Sequence, residues 1–327
     1  MKLTLIIATT VLALALPVSS AGQYSQYKLA DLGTSGVSNR FSCGVLPEAQ
    51  LARAKNFTFT TMDVPDAKGT WTWAINDAGA IVGGFYVGGP LAGNVHGFLF
   101  RDGIYTQLDF PGAAFTNSAN GINSAGEIVG YWFDFSDTQH GFLLSGGTYT
   151  RIDFPGSAWS EARGINSAGQ IVGVYGDAVG TSHGFLLSAG RFSSIDFPGA
   201  VGGSVAKAIN DAGDIVGRYD NADGSTHGFL LSKGRFTSID FPGASLTIAG
   251  SINSGGDILG RYTSAIQHGF LRRKGGRFSS IDFPRANYTD ATGINARGDV
   301  VGTYFDTATS LYPHGYLLTA GDPDCRE

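Results

Sequence analysis

Residues 164–199 read GINSAGQIVGVYGDAVGTSHGFLLSAGRFSSIDFPG. The stretch holds four short runs of β-branched and aromatic residues, at Ile165, Ile171–Tyr175, His183–Leu187 and Phe192–Phe197, each bounded by glycine, proline or asparagine. That is how strands are punctuated. N-S-A-G joins the first two runs, its asparagine opening a turn and its glycine supplying a left-handed residue. S-A-G-R joins the last two and is hairpin chemistry as well. No useful helical period runs through the segment.

Working outward, the unit recurs along the chain at roughly 43 residues, the length range of one supersecondary repeat. Asn76, Asn123, Asn166, Asn210, Asn253 and Asn295 each follow isoleucine and each precede a glycine seven residues on. All six histidines, His96, His140, His183, His227, His268 and His314, open HGF or HGY. Asp63, Asp109, Asp153, Asp196, Asp240 and Asp282 open DFP or DVP. Glycine is 49 of 327 residues and charged residues are only 15%, against about 25% in ordinary domains, so turns are many and helical surfaces few.

These features predict an all-β protein: a six-bladed β-propeller with four antiparallel strands per blade. Crossing from the outermost strand of one blade to the innermost of the next spans roughly 14 Å, beyond a two-residue hairpin, so a long joint must carry it. The joint after D-F-P-G is assigned that role. The alanine- and glycine-rich I-N strand then lies innermost; a crossover after the I-V-G-x-Y tyrosine is the alternative frame. In the assigned frame Phe57–Asp63 is an outer strand without a blade, while the copy ending at Leu318 lacks one. Pairing Phe57–Asp63 with His314–Leu318 closes the ring and removes the exposed sheet edges. An open solenoid is the competing architecture, but its end repeats usually depart from the pattern.

Residues 1–21 read as a secretory signal peptide: Lys2, an apolar run from Leu3 to Val18, then small residues to Ala21. At about 16 residues the run is short of the roughly 20 that span a bilayer. Residues 22–56 form an N-terminal extension with Cys43, 57–318 the repeats, and 319–327 a tail with Cys325. A secreted or periplasmic location follows from the leader, with no membrane anchor, and the two cysteines are candidates for one disulfide. Net charge is −5 with mixed signs, so the basic field that nucleic acid needs is missing. A monomer is expected.

The H-G-F, I-D-F-P-G and G-I-N-x-x-G-x-I-V-G elements together resemble the HAF-type extracellular repeat of bacterial exported proteins, over about Phe57 to Leu318. The resemblance departs at H-G-F or H-G-Y, where the family name implies His-Ala-Phe, and at Asp282, which is followed by Phe-Pro-Arg. It implies export and a repeat architecture and no settled activity, so it brings no catalytic residue.

Residues that recur in every copy are expected to be structural, the histidines and aspartates pinning strand ends. No metal, cofactor or catalytic residue is expected: G-x-S-x-G, phosphate loops and Cys/His clusters are missing, and Asp220–Gly224 lacks the alternate oxygen ligands of a calcium loop. Individuality lies in what varies. Trp71, Trp73, Trp132 and Trp159, with Tyr312, are assigned to long joints on one face as an aromatic recognition surface. Three residues before each repeated asparagine stand Trp73, Asn120, Arg163, Lys207, Gly250 and Thr292. Two residues earlier come Trp71, Ser118, Glu161, Val205, Ile248 and Asp290, and both rows are expected to ring the channel mouth. The leading expectation is a non-catalytic secreted binding propeller whose partner is an extracellular glycan or protein surface. The alternatives are a hydrolase-, lactonase- or lyase-type enzyme using Glu161, Arg163, Lys207 and Asp290, or a purely structural repeat protein.

Overall fold

The structure, a computed structural model, describes residues 26–28, 57–88, 95–114, 117–306 and 312–320, and its regular elements are all strands. They pair antiparallel in fours, in sequence order. One such unit is Trp159–Ile165, Ile171–Gly176, Ser182–Ser188 and Arg191–Ile195. Its register runs Ile165↔Ile171, Val172↔Leu186 and Gly184↔Ile195. Asn166 closes the first hairpin, its N–H donating to Gln170 O at 3.1 Å and its carbonyl accepting from Gly169. The second hairpin turns on Ala189 (φ 48°) and Gly190 (φ 74°), the left-handed pair that a type I′ turn requires.

The first strands of the units, Gly69–Ile75, Asn117–Ile122, Trp159–Ile165, Gly203–Ile209, Leu246–Ile252 and Tyr288–Ile294, contact their neighbours in turn and the last contacts the first. The I-N strand is therefore innermost. Its crowding explains the glycine of I-V-G: a methyl at Gly173 would lie 2.0 Å from Glu161 O and 2.7 Å from the Phe185 ring, and Gly83, Gly130, Gly217, Gly260 and Gly302 meet the same wall.

Apolar residues between units form the core. The aromatic residue of HGF or HGY is fully buried at Phe98, Phe142, Phe185, Phe229, Phe270 and Tyr316. Phenylalanine of D-F-P reaches forward and stacks on the I-V-G-x-Y tyrosine of the following unit, as in Phe154–Tyr175 (3.7 Å between centroids) and Phe197–Tyr219 (3.7 Å). Ser160 then accepts the Phe154 N–H at 3.0 Å, fixing the crossover.

Each repeat histidine meets its aspartate, tying the third strand to the end of the fourth: His96–Asp109 at 2.9 Å, His140–Asp153 at 3.2 Å, His183–Asp196 at 2.9 Å, His227–Asp240 at 2.6 Å and His268–Asp282 at 2.7 Å. The sixth pair, His314–Asp63 at 2.8 Å, joins the two ends of the repeat region. Beside it Phe57–Thr61 pairs antiparallel with Pro313–Ala320, from Phe57↔Ala320 to Thr61↔Tyr316. Single parallel bridges, Thr226↔Leu246 and Gln267↔Tyr288, join some units into one larger sheet. Gln26–Lys28, within the extension, adds a strand to Ile104–Leu108. Residues 1–21, read above as a signal peptide, and Cys43 and Cys325 lie outside the described residues.

Candidate functional site

Each innermost strand carries a one-residue register shift against its second strand. The extra residue is Trp73, Asn120, Arg163, Lys207, Gly250 or Thr292, one per unit. A bulge leaves one residue unpaired and re-aims it. All six positions line a single cavity of about 600 Å³ along the axis. The residues flanking a bulge have no such freedom: a methyl at Gly164 would lie 2.9 Å from Ala208 Cα, and Ala162 and Ala206 are fully buried. Small residues packing the axis thus alternate with variable residues facing the channel.

Charge gathers in that cavity. Arg163 Nη2 donates to Glu161 Oε2 at 2.9 Å, and Asn120 and Gln139 donate to the same carboxylate at 2.9 and 3.2 Å. Across the channel Arg261 Nη1 donates to Asp290 Oδ2 at 2.7 Å. Glu161 and Asp290 are both buried. Burial, then the Glu161 charge, push the Tyr131 phenol up to about 12, with Arg163 opposing.

Lys207 lies between these pairs. It keeps some contact with the channel space, yet protein surrounds it, and it makes no hydrogen bond or ion pair among the described residues. Loss of bulk water, then repulsion from Arg163 and Arg261, bring its ammonium down to about 7, against the pull of Asp290 and Glu161.

Of the residues read as candidates, Trp73, Asn120, Glu161, Arg163, Lys207 and Asp290 come together here. The four tryptophans are not in long joints; all lie in strands. Trp132 takes the tyrosine position of I-V-G-x-Y and stacks on Phe110 at 4.2 Å, 8% exposed, so it belongs to the core. Trp159 covers Gly176, where a methyl would lie 2.1 Å from the indole nitrogen. Trp71 packs on Tyr86 and Tyr86 on Tyr312, an aromatic cluster at the junction of first and last units.

Arg218, Arg261 and Tyr131 also line the cavity and were not singled out from sequence. They occupy the x of I-V-G-x-Y, which reads Gly84, Tyr131, Val174, Arg218, Arg261 and Thr303 through the chain. That variability was the available signal.

The opposite end of the channel is uniform. Asn76, Asn123, Asn166, Asn210, Asn253 and Asn295 each donate Nδ2 to the backbone oxygen of the next asparagine, at 3.0 to 3.3 Å, and Asn295 returns to Asn76.

Four-stranded antiparallel units set around an axis, with the first strand of each innermost, define a β-propeller, and the variable residues on its bulges collect in the channel. No family model matches the chain, so the HAF-type resemblance has none behind it, and no curated protein is similar to it in sequence. Among solved structures it is similar to a gluconolactonase from Xanthomonas campestris, at TM-score 0.51 and 12% identity over 85% of this chain and 94% of that one. It is also similar to a fucose-recognising lectin from the fungus Aleuria aurantia, a six-bladed propeller, at TM-score 0.47 and 14% identity over 81% and 100% of the two chains. TolB from Acinetobacter baumannii is a third, at TM-score 0.49 and 13% identity; the match covers 78% of this chain and 64% of TolB. At such identity the likeness shows the fold alone.

Proposed function

We propose that the chain is an exported, closed six-bladed propeller of the HAF-repeat type that binds a sugar at the loop-side mouth of its channel. The observation that carries this is convergence: the one residue each innermost strand frees from its ladder differs from unit to unit, and all six open on one cavity. Carboxylates, guanidinium groups and amides suit hydroxyl groups, while Trp73, Tyr131 and Phe133 in the same wall suit the apolar face of a sugar ring. Export rests on the leader ending at Ala21, and a Cys43–Cys325 bridge accompanies it in this reading.

A second reading, an enzyme at the same mouth, is favoured by one feature: Lys207 is an unpartnered amine near neutrality beside two buried carboxylates. A calorimetric screen of the mature chain against oligosaccharides tests the binding reading. Arg163→Ala and Asp290→Asn should each weaken the best ligand at least tenfold, with the thermal midpoint held within a few degrees. Turnover of that ligand by the wild-type chain, lost in Lys207→Met, would instead favour the enzyme.

A further inference from the structure

We infer that the channel seats one singly charged anionic group of its ligand, a carboxylate or sulfate half-ester on a sugar, among Arg163, Lys207 and Arg261. The inference rests on the reading of the channel as the binding site and names the chemistry of what enters it. Its basis is a count of charges and donors. Arg163 is matched by Glu161 and Arg261 by Asp290, while Arg218 is paired with Asp220. Lys207 is left over. The half-buried Lys207 ammonium faces the channel with no ion-pair partner, is crowded by two guanidinium groups, and finds in the chain no acceptor for any of its three N–H groups. Two further donors lack acceptors: Nε of Arg163 and Nε of Arg261 are both buried and unpartnered among the described residues. Buried polar groups are rarely left so, and an unexplained set of them at one place marks where a ligand belongs.

The same count fixes the size of the charge. One unmatched cation is neutralised by one anion, whereas a phosphate dianion would leave the cavity negative. The anion should also change the state of Lys207. Free, its ammonium is held near 7 by desolvation and by two neighbouring guanidinium groups. An opposite charge beside it favours the protonated form, so binding above neutral pH must draw a proton from solvent.

The experiment is titration calorimetry of the mature chain at pH 7.5, in HEPES and in Tris, whose ionisation heats differ. The probes are oligogalacturonate, oligoguluronate, oligoglucuronate and sulfated galactan oligomers, each beside its carboxyl-reduced or desulfated counterpart. At least one acidic oligomer should bind, its neutral counterpart at least tenfold more weakly, with net uptake approaching one proton. Which arm responds separates carboxylate from sulfate. Lys207→Met should lose both the uptake and at least tenfold in affinity; Lys207→Arg should keep affinity and lose the uptake. Equal binding of acidic and neutral oligomers, or binding without proton uptake, overturns this inference and leaves channel binding standing. Failure of every oligomer, acidic and neutral, overturns the channel reading as well.

Discussion

Two positions three residues apart along each innermost strand are built by opposite rules. At the tight-turn end every unit presents asparagine, and each side chain does two jobs: its oxygen accepts backbone N–H groups of its own hairpin, as from Gln170 at 3.0 Å, and its nitrogen reaches the next unit. Three residues earlier on the same strand, every unit presents something different on a bulge. Positions that hold neighbours together cannot vary without opening the ring of bonds. Positions released by the bulge make no common set of bonds, although Asn120 donates to Ala162 O at 3.2 Å and Thr292 to Thr72 O at 2.7 Å in the adjoining units, and they are free to specialise. A repeat protein thus separates scaffold from site along a single strand, within the length of Arg163 to Asn166.

The comparison breaks most sharply at the walls between the two ends. Gly173→Ala sets a methyl against Glu161 O and the Phe185 ring and should cost about 3 kcal/mol or more, read as a drop in the denaturation midpoint or as failure to fold. Trp132→Ala should cost about 3–5 kcal/mol as a core deletion, whereas Trp132→Tyr, which restores the residue other units carry, should stay within about 1 kcal/mol. A large loss of ligand affinity in the tyrosine variant at unchanged stability would return Trp132 to the recognition surface.

At the uniform end, Asn166→Ala removes bonds to Asn210 and Gln170 and should cost about 1–3 kcal/mol without changing ligand affinity. At the variable end the sign reverses. The Lys207 ammonium is depressed in the folded chain relative to about 10.4 when unfolded, so between roughly pH 7 and 10 the unfolded state holds more protons and stability rises with pH. Lys207→Met should therefore raise the midpoint by roughly 2–4 °C at pH 6, the shift that about 1 kcal/mol makes in a chain of this size, and the gain should vanish by about pH 10.5. The smallest effect is at His314, which the hydrogen bond to Asp63 raises above its ordinary value while burial opposes. Its contribution is complete below pH 6.5 and fades as pH climbs past the folded value. The stability advantage of the wild type over His314→Gln should accordingly be greater at pH 5.5 than at pH 8.

Much of this was legible in the residues. Recurring I-N, H-G-F and D-F-P triplets located the strands and turns; the small residues before each asparagine identified the innermost strand; and the lone Phe57 strand foretold its pairing with the chain's last repeat. The row holding Arg163 and Lys207 was found because it varied where its neighbours did not. The bulge was not legible, since one extra residue leaves no mark on a pattern of alternating small residues. Arg261 and Tyr131 were missed for a related reason: they sit on second strands, one strand out from the axis, yet line the channel. Trp132 was misplaced because tryptophan in a tyrosine slot looks like an exception, while the stack with Phe110 needs only a flat ring.

The pairing of Phe57–Thr61 with Pro313–Ala320 also bears on the order of assembly. Units bounded by hairpins can form from near neighbours, but His314 and Asp63 stand 251 residues apart, and contacts of such separation form late because loop closure precedes any reward. The last repeat must wait for a strand borrowed from the start of the first. Opening should begin where closing ended: backbone amides of Phe57–Thr61 should exchange with solvent faster than those of Arg191–Ile195, their counterparts in a unit made of one continuous stretch of chain.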